Sequence, residues 1–158
     1  MRSPMDIRAG RKYPAGELSN FAYHPFVLDG VNIASMEGFL QSLKFQNTET
    51  EKNICGMVGL NAKRAGTWAW QRTQTLFWRG TAYWRSSEEY QELLDRAYVA
   101  MFTQNEKARK ALLASGDEHL THTVGWHKMN ETLLTKREFC DRLMHIRDEI
   151  RLAELVEF

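Results

Sequence analysis

Proline stops at residue 25. Pro4, Pro14 and Pro25 all lie in the first quarter of the chain, and none follows. Proline has a fixed φ and no N–H to donate, so it interrupts helices and central strands. The first quarter is therefore expected to be turn-rich and the remainder largely helical. At 158 residues the chain can bury about two-thirds of its unfolded surface, enough for one core without disulfides. The two cysteines, Cys55 and Cys140, form no CxxC pair and are too few for a structural zinc site. They are expected to be free thiols in a reducing cytoplasm. No run approaches the roughly 18 apolar residues of a membrane span. Residues 1–16 carry no apolar signal-peptide core. A net charge of +1 gives no global pull toward nucleic acid or membrane.

Turn and cap residues divide the chain into elements. Two short apolar runs flank Asp29-Gly30 between Phe26 and Ile33, which predicts a hairpin with a tight primed turn. Ser35 is placed to cap a helix over about 36–46. A second helical stretch is expected over 60–70. A third helix should run from Ser87 to about Thr103, with Leu93, Leu94, Ala97 and Met101 as its apolar stripe. Thr103 and Glu106 fit a capping box for a helix over 104–115, with Gly116 beyond its end. Residues 119–124 read as a short strand. Thr135 and Glu138 fit another capping box, opening a last helix that reaches about Leu155.

Charge is distributed unevenly. No Asp or Glu occurs from Lys52 to Ser87, while Lys52, Lys63, Arg64, Arg72, Arg79 and Arg85 all fall there. Trp68, Trp70, Phe77, Trp78, Tyr83 and Trp84 are interleaved with them. Cations among aromatics suit a ligand with phosphates and a stacked base. The same pattern also arises when tryptophans fill a core and the charges are a solvated face.

Within Ser35–Phe45, Glu37, Gln41 and Lys44 stand at i, i+4 and i+7. On a helix they share one face and span about 10 Å along the axis. A carboxylate, an amide and an amine on one stripe can serve one polar ligand, although this spacing also describes an ordinary solvent face. Glutamate can act as acid or base. A lysine with a lowered pKa can attack a carbonyl carbon to form an imine.

Upstream stand Gly16-Glu17-Leu18-Ser19-Asn20-Phe21 and Leu28-Asp29-Gly30. The order of these blocks, followed by Glu37-x-x-x-Gln41-x-x-Lys44-Phe45, resembles the NADAR family over about residues 14–150. Weaker matches follow in Ala62-Lys63-Arg64-Ala65-Gly66, at Trp84, in Ala100-Met101-Phe102 and in Leu143–Arg147. The resemblance implies NAD and ADP-ribose chemistry. One branch of the family hydrolyses the N-glycosidic bond of early riboflavin-pathway intermediates, and another removes ADP-ribose from guanine. It further implies that Glu37 is the catalytic glutamate, Lys44 the helix lysine, Trp84 the site tryptophan and Asn20 part of the site loop. The family often carries an acidic residue near a Trp-Gly-x-Gly loop. Here that region reads His122-Thr123-Val124-Gly125-Trp126-His127-Lys128-Met129-Asn130, with His122 about where the acid is often found.

Together these features predict one α+β domain, mostly helical with a small antiparallel sheet, over 14–158, preceded by an N-terminal extension over 1–13. The expected activity is hydrolysis of the ribose C1–N bond of ADP-ribosylated guanine, in DNA or as a nucleotide. The alternatives are an N-glycosidase of early riboflavin-pathway intermediates and a non-catalytic ADP-ribose or NAD binder. Glu37 and Lys44 are the expected catalytic residues. Asn20, Gln41, Trp84, Arg64, Arg72 and Arg79 are the expected substrate contacts. Lys44 either forms an imine with ring-opened ribose or holds a phosphate or hydroxyl. No cofactor, obligate protein partner or membrane is expected, and the spacing of His119, His122 and His127 does not suggest a metal triad.

Overall fold

In the computed structural model, which describes residues 4–156, Asp29-Gly30 closes a hairpin between β1 (Phe26–Leu28) and β2 (Val31–Ile33). Both turn residues have positive φ, 49° and 78°, the primed geometry that matches strand twist. Phe26, Leu28, Val31 and Ile33 face the core while Val27 and Asn32 face out, the two-residue period of a half-buried ribbon.

Ser35 caps α1 (Met36–Ser42), its Oγ accepting the Gly38 N–H at 3.1 Å. The helix stops before Gln46. The Lys44 and Phe45 N–H groups turn back onto the Gln41 and Ser42 carbonyls, and Asn47 then caps α2 (Thr48–Cys55), a helix not expected from the sequence. Gly38 lets the two helices meet at their backbones, because a Cβ there would stand 2.7 Å from the Met57 carbonyl oxygen.

The helix expected over 60–70 is broken into α3 (Gly59–Ala65) and α4 (Trp70–Thr73), with Gly66 extended at φ −71°, ψ 158°. A second hairpin follows, β3 (Thr75–Trp78) with β4 (Thr81–Trp84), closed by Arg79-Gly80 at φ 50° and 86°. Its inward residues Leu76 and Trp78 are buried. Then come α5 (Glu88–Gln104), capped by Ser87, and α6 (Glu106–Ala114). Asn105, not Thr103, caps α6, accepting the Ala108 N–H at 3.0 Å. Thr103 is still inside α5 and donates to the Val99 carbonyl at 2.7 Å. Of the strand expected over 119–124, only β5 (Leu120–Thr121) forms. The Thr135–Glu138 capping box opens α7 (Lys136–Val156), with reciprocal bonds of 3.0 and 2.7 Å.

Among the described residues the sheet content is two antiparallel hairpins and one parallel pair. The parallel partner of β5 is an additional strand, Met5–Asp6, within the expected N-terminal extension. Ile7 beside it is fully buried in the core. Of the expected boundaries, residues 1–3 and 157–158 lie outside the described residues. The core gathers around α5, which packs against β1, α1, α6 and α7.

The acid-free stretch divides in two. Trp70 and Trp78 are core residues, and Arg85 is buried at 1% exposure. Arg85 Nη1 and Nη2 donate to Glu138 at 3.1 and 2.5 Å, and its Nε donates to the Thr132 carbonyl at 2.8 Å. Cys55 and Cys140 are buried free thiols, and burial pushes them up to about 11 and about 12. No helix among the described residues is long and apolar enough to cross a membrane.

Candidate active site

The first turn of α1 is tied to the Ser19-Asn20-Phe21 loop. Ser19 Oγ accepts the Phe21 N–H at 3.2 Å and shapes the turn. The Asn20 carbonyl accepts the Glu37 N–H at 3.0 Å. From the other side the buried Tyr98 hydroxyl of α5 donates to Asn20 Oδ1 at 2.7 Å. Asn20 is thus fixed through both its backbone and its side chain beside Glu37.

Glu37 is partly buried and accepts from Gln41 Nε2 at 2.9 Å. Gln41 is only 9% exposed, and its Oε1 has no hydrogen-bond partner among the described residues. Lys44 lies just past the helix end, its Nζ 5.7 Å from the centroid of the Trp68 ring. Gly66 closes this corner. A Cβ there would overlap Gln41 Oε1 and stand 2.9 Å from Lys44 Nζ. Glycine suits this position because its bare backbone passes against these two side chains.

Burial holds the Glu37 carboxyl above the ordinary glutamate value, against the pull of the Gln41 hydrogen bond and of Lys63, Lys44 and His122. Burial likewise lowers Lys44. The Glu37 charge opposes that shift and the Lys63 charge adds to it. An acid and an amine are each displaced toward neutrality, as expected where protons are exchanged.

His122, on the loop after β5, stands at the edge of this group. Its Nδ1 is 2.7 Å from the Ile7 carbonyl, which only accepts, so Nδ1 carries the hydrogen and Nε2 is left for another partner. Its ring meets Phe139 edge-on at 5.3 Å. Asp6 accepts from the Thr123 N–H and hydroxyl at 2.8 and 2.9 Å, which pins the same loop.

Of the expected site residues, Asn20, Glu37, Gln41 and Lys44 come together. Arg64 is exposed on the last turn of α3, and Arg72 is exposed on α4. Arg79 is engaged structurally, with Nη1 3.5 Å from Oε1 of the fully buried Glu51 and its backbone N–H on the same carboxylate. Trp84 lies on the outer face of the second hairpin, 64% exposed. It lines a groove of about 530 Å³ with Ser87, Glu89, Glu92 and Arg96, none of which belongs to the Glu37 group. Lys63, Gly66, Trp68 and Tyr98 were not among the expected site residues, although Lys63 and Trp68 belong to the basic, aromatic stretch expected to suit phosphates and a base. Trp68 was visible only as one aromatic among six, and Tyr98 only as part of an apolar helix face. Among the described residues no group of three or more His, Cys, Asp or Glu is placed to hold a metal ion.

The sequence matches a protein-family model described as bacteriophage protein GP30.3 over residues 12–148. An uncharacterized 17.1 kDa protein from the Gp30–rIII intergenic region of enterobacteria phage T4 is 40% identical over 153 residues, covering 94% of this chain and 99% of that protein. The NMR structure of the E. coli protein YbiA superposes with a TM-score of 0.60 over 98% of this chain and 90% of YbiA, at 22% identity. The single α+β domain expected from the sequence is thus a fold shared with YbiA.

Proposed function

The chain belongs to the family of bacteriophage protein GP30.3; from that premise, the fold shared with YbiA and the sequence resemblance to the NADAR family, we propose that it is an N-glycosidase that hydrolyses the ribose C1–N bond of ADP-ribosylated guanine, in DNA or as a nucleotide. The observation that carries this reading is the gathering of Asn20, Glu37, Gln41 and Lys44 at one partly buried site, with the acid and the amine both displaced toward neutrality. The NADAR resemblance is consistent with a hydrolase of N-glycosyl bonds.

The chemistry follows from the side chains. As the C1–N bond breaks, its electron pair leaves on the base nitrogen, which takes up a proton. Positive charge develops on the sugar, and the ionised Glu37 carboxylate opposite it stabilises that charge. Water oxygen then bonds to C1 and releases a proton. In the imine route the ring opens before the base departs, turning the C1–N bond into a C1=N imine as the nitrogen's proton passes to the ring oxygen. The neutral Lys44 amine adds to C1, the base leaves with its electron pair and a proton from that amine, and water hydrolyses the Lys44 imine to the ribose aldehyde and the free lysine. Gln41 orients Glu37 through its amide, and its buried Oε1 is available to a substrate hydroxyl. We place the enzyme in the cytoplasm, where Cys55 and Cys140 remain reduced.

The test is a side-by-side assay with ADP-ribosylated guanine, in DNA and as a nucleotide, and with the two early riboflavin-pathway intermediates. Release of ADP-ribose from guanine at the higher kcat/KM supports the proposal. Preference for the riboflavin intermediates moves the enzyme to the other branch. Saturable ADP-ribose binding with no turnover of any substrate makes the protein a binder.

A further inference from the structure

We infer that residues 63–68 form a nucleotide-recognition strap, in which Trp68 stacks on the base of the ligand and Lys63 pairs with its phosphate. The inference rests on the reading of the Glu37–Lys44 group as the substrate site, and it names what that site recognises.

Trp68 is 68% exposed, whereas Trp70 and Trp78 of the same stretch are 3% and 2% exposed. The core is filled without Trp68, so packing does not account for its place. Its ring nevertheless lies against a site residue, with Lys44 Nζ 5.7 Å from the centroid. An open indole face beside the amine suits a planar base, because every base has a π-face to offer.

Lys63 supplies the second contact. Ala62, its neighbour on α3, is fully buried where α3 packs on α1. That contact fixes the helix while the Lys63 side chain stays exposed, close enough to act electrostatically on both Glu37 and Lys44. Arg79 and Arg85 are taken up by Glu51 and Glu138. Lys63 forms no ion pair among the described residues, so its charge remains available to an anion.

Gly66 joins the two contacts. Any side chain there would meet the ends of Gln41 and Lys44 and displace them. The glycine therefore keeps an indole and a cation within one short strap beside the reacting group. A base and a phosphate joined through a sugar satisfy both contacts. A sugar phosphate satisfies only Lys63, and a nucleoside satisfies only Trp68.

The test is calorimetric titration of the full chain with ADP-ribose, ribose 5-phosphate and adenosine, with thermal unfolding of each variant as the check on folding. Trp68→Ala should weaken ADP-ribose and adenosine by about 5- to 100-fold and leave ribose 5-phosphate unchanged. Trp68→Phe should restore part of the loss. Lys63→Gln should weaken ADP-ribose and ribose 5-phosphate, leave adenosine unchanged, and flatten the salt dependence of ADP-ribose binding. Equal losses on all three ligands, no loss in either variant, or no ADP-ribose binding by the wild type would overturn the strap. Binding is read without turnover, so a protein that shows this pattern but hydrolyses nothing keeps the strap and removes the glycosidase. An active glycosidase without the pattern does the reverse.

Discussion

Gln41 Nε2 donates to Glu37 Oε1 at 2.9 Å, one helical turn away on α1. This bond favours the ionised carboxylate, yet burial outweighs it and Glu37 stays above the ordinary glutamate value. The amide orients the acid without fully offsetting its desolvation, an arrangement that suits a group that must take up and give back a proton.

A stability signature follows. The folded state holds the Glu37 proton more tightly than the unfolded chain does. Native stability is therefore lost as pH rises from the ordinary glutamate value through the raised folded value. Glu37→Gln removes that loss. Thermal unfolding should give the variant a higher Tm than wild type at pH 7 and no advantage at acid pH below the window. An equal or lower Tm at pH 7 would mean that the carboxylate is well solvated.

Gly66→Ala should damage the site more than the fold, because the new methyl group meets Gln41 Oε1 and Lys44 Nζ. Those side-chain ends can swing aside, so the stability cost should stay at or below about 1 kcal/mol, readable in urea unfolding. Catalytic loss should exceed what the unfolded fraction explains. At Gly116, whose added Cβ meets nothing within 4 Å, alanine should disturb stability through its φ of 61° but not catalysis.

Lys44 should carry any covalent intermediate. Its lowered pKa leaves more neutral amine near pH 7 than an exposed lysine has. Borohydride added during turnover should leave an ADP-ribose-sized adduct on the Lys44 peptide in mass spectrometry. Lys44→Arg should then be inactive. An active Lys44→Arg enzyme with no trapped adduct assigns Lys44 to holding a phosphate or hydroxyl.

Glu138 should govern acid stability. Burial pushes it upward, but the Arg85 hydrogen bonds and the Thr135 N–H outweigh burial and hold it below the ordinary glutamate value. Its contribution is present above the unfolded value and disappears as pH falls through the folded one. Glu138→Gln leaves the Arg85 charge buried without a carboxylate and should destabilise by about 3–5 kcal/mol in urea unfolding at pH 7. The double change Arg85→Met, Glu138→Met should recover much of that loss. No recovery would mean that the pair contributes well beyond mutual neutralisation.

The elements legible in the sequence were those with local punctuation. Asp29-Gly30, the Ser35 and Ser87 caps and the Thr135–Glu138 box each specify their turn or helix end through bonds to near neighbours. The second hairpin was hidden because Arg79-Gly80 is a weaker turn signal than Asp-Gly and its strands read as a basic, aromatic tract. The Met5–Asp6 pairing with β5 joins segments more than a hundred residues apart, which no local pattern reports. At the site, the i, i+4, i+7 spacing of Glu37, Gln41 and Lys44 fitted a solvent face equally well, and the family resemblance gave Glu37 and Lys44 their expected roles. Trp68 could not be distinguished from Trp70 by spacing, because burial alone separates them. Arg79 and Arg85 looked like free cations because Glu51 and Glu138, which engage them, are distant in sequence.

The most direct measurement compares wild type with Glu37→Gln on ADP-ribosylated guanine, reading free ADP-ribose and unmodified guanine by chromatography and mass spectrometry. Wild type should release both in equal amounts, and the variant should be slower by about 100-fold or more with its fold intact. No release by wild type, or release by Glu37→Gln at the wild-type rate, would contradict hydrolysis at the Glu37 site.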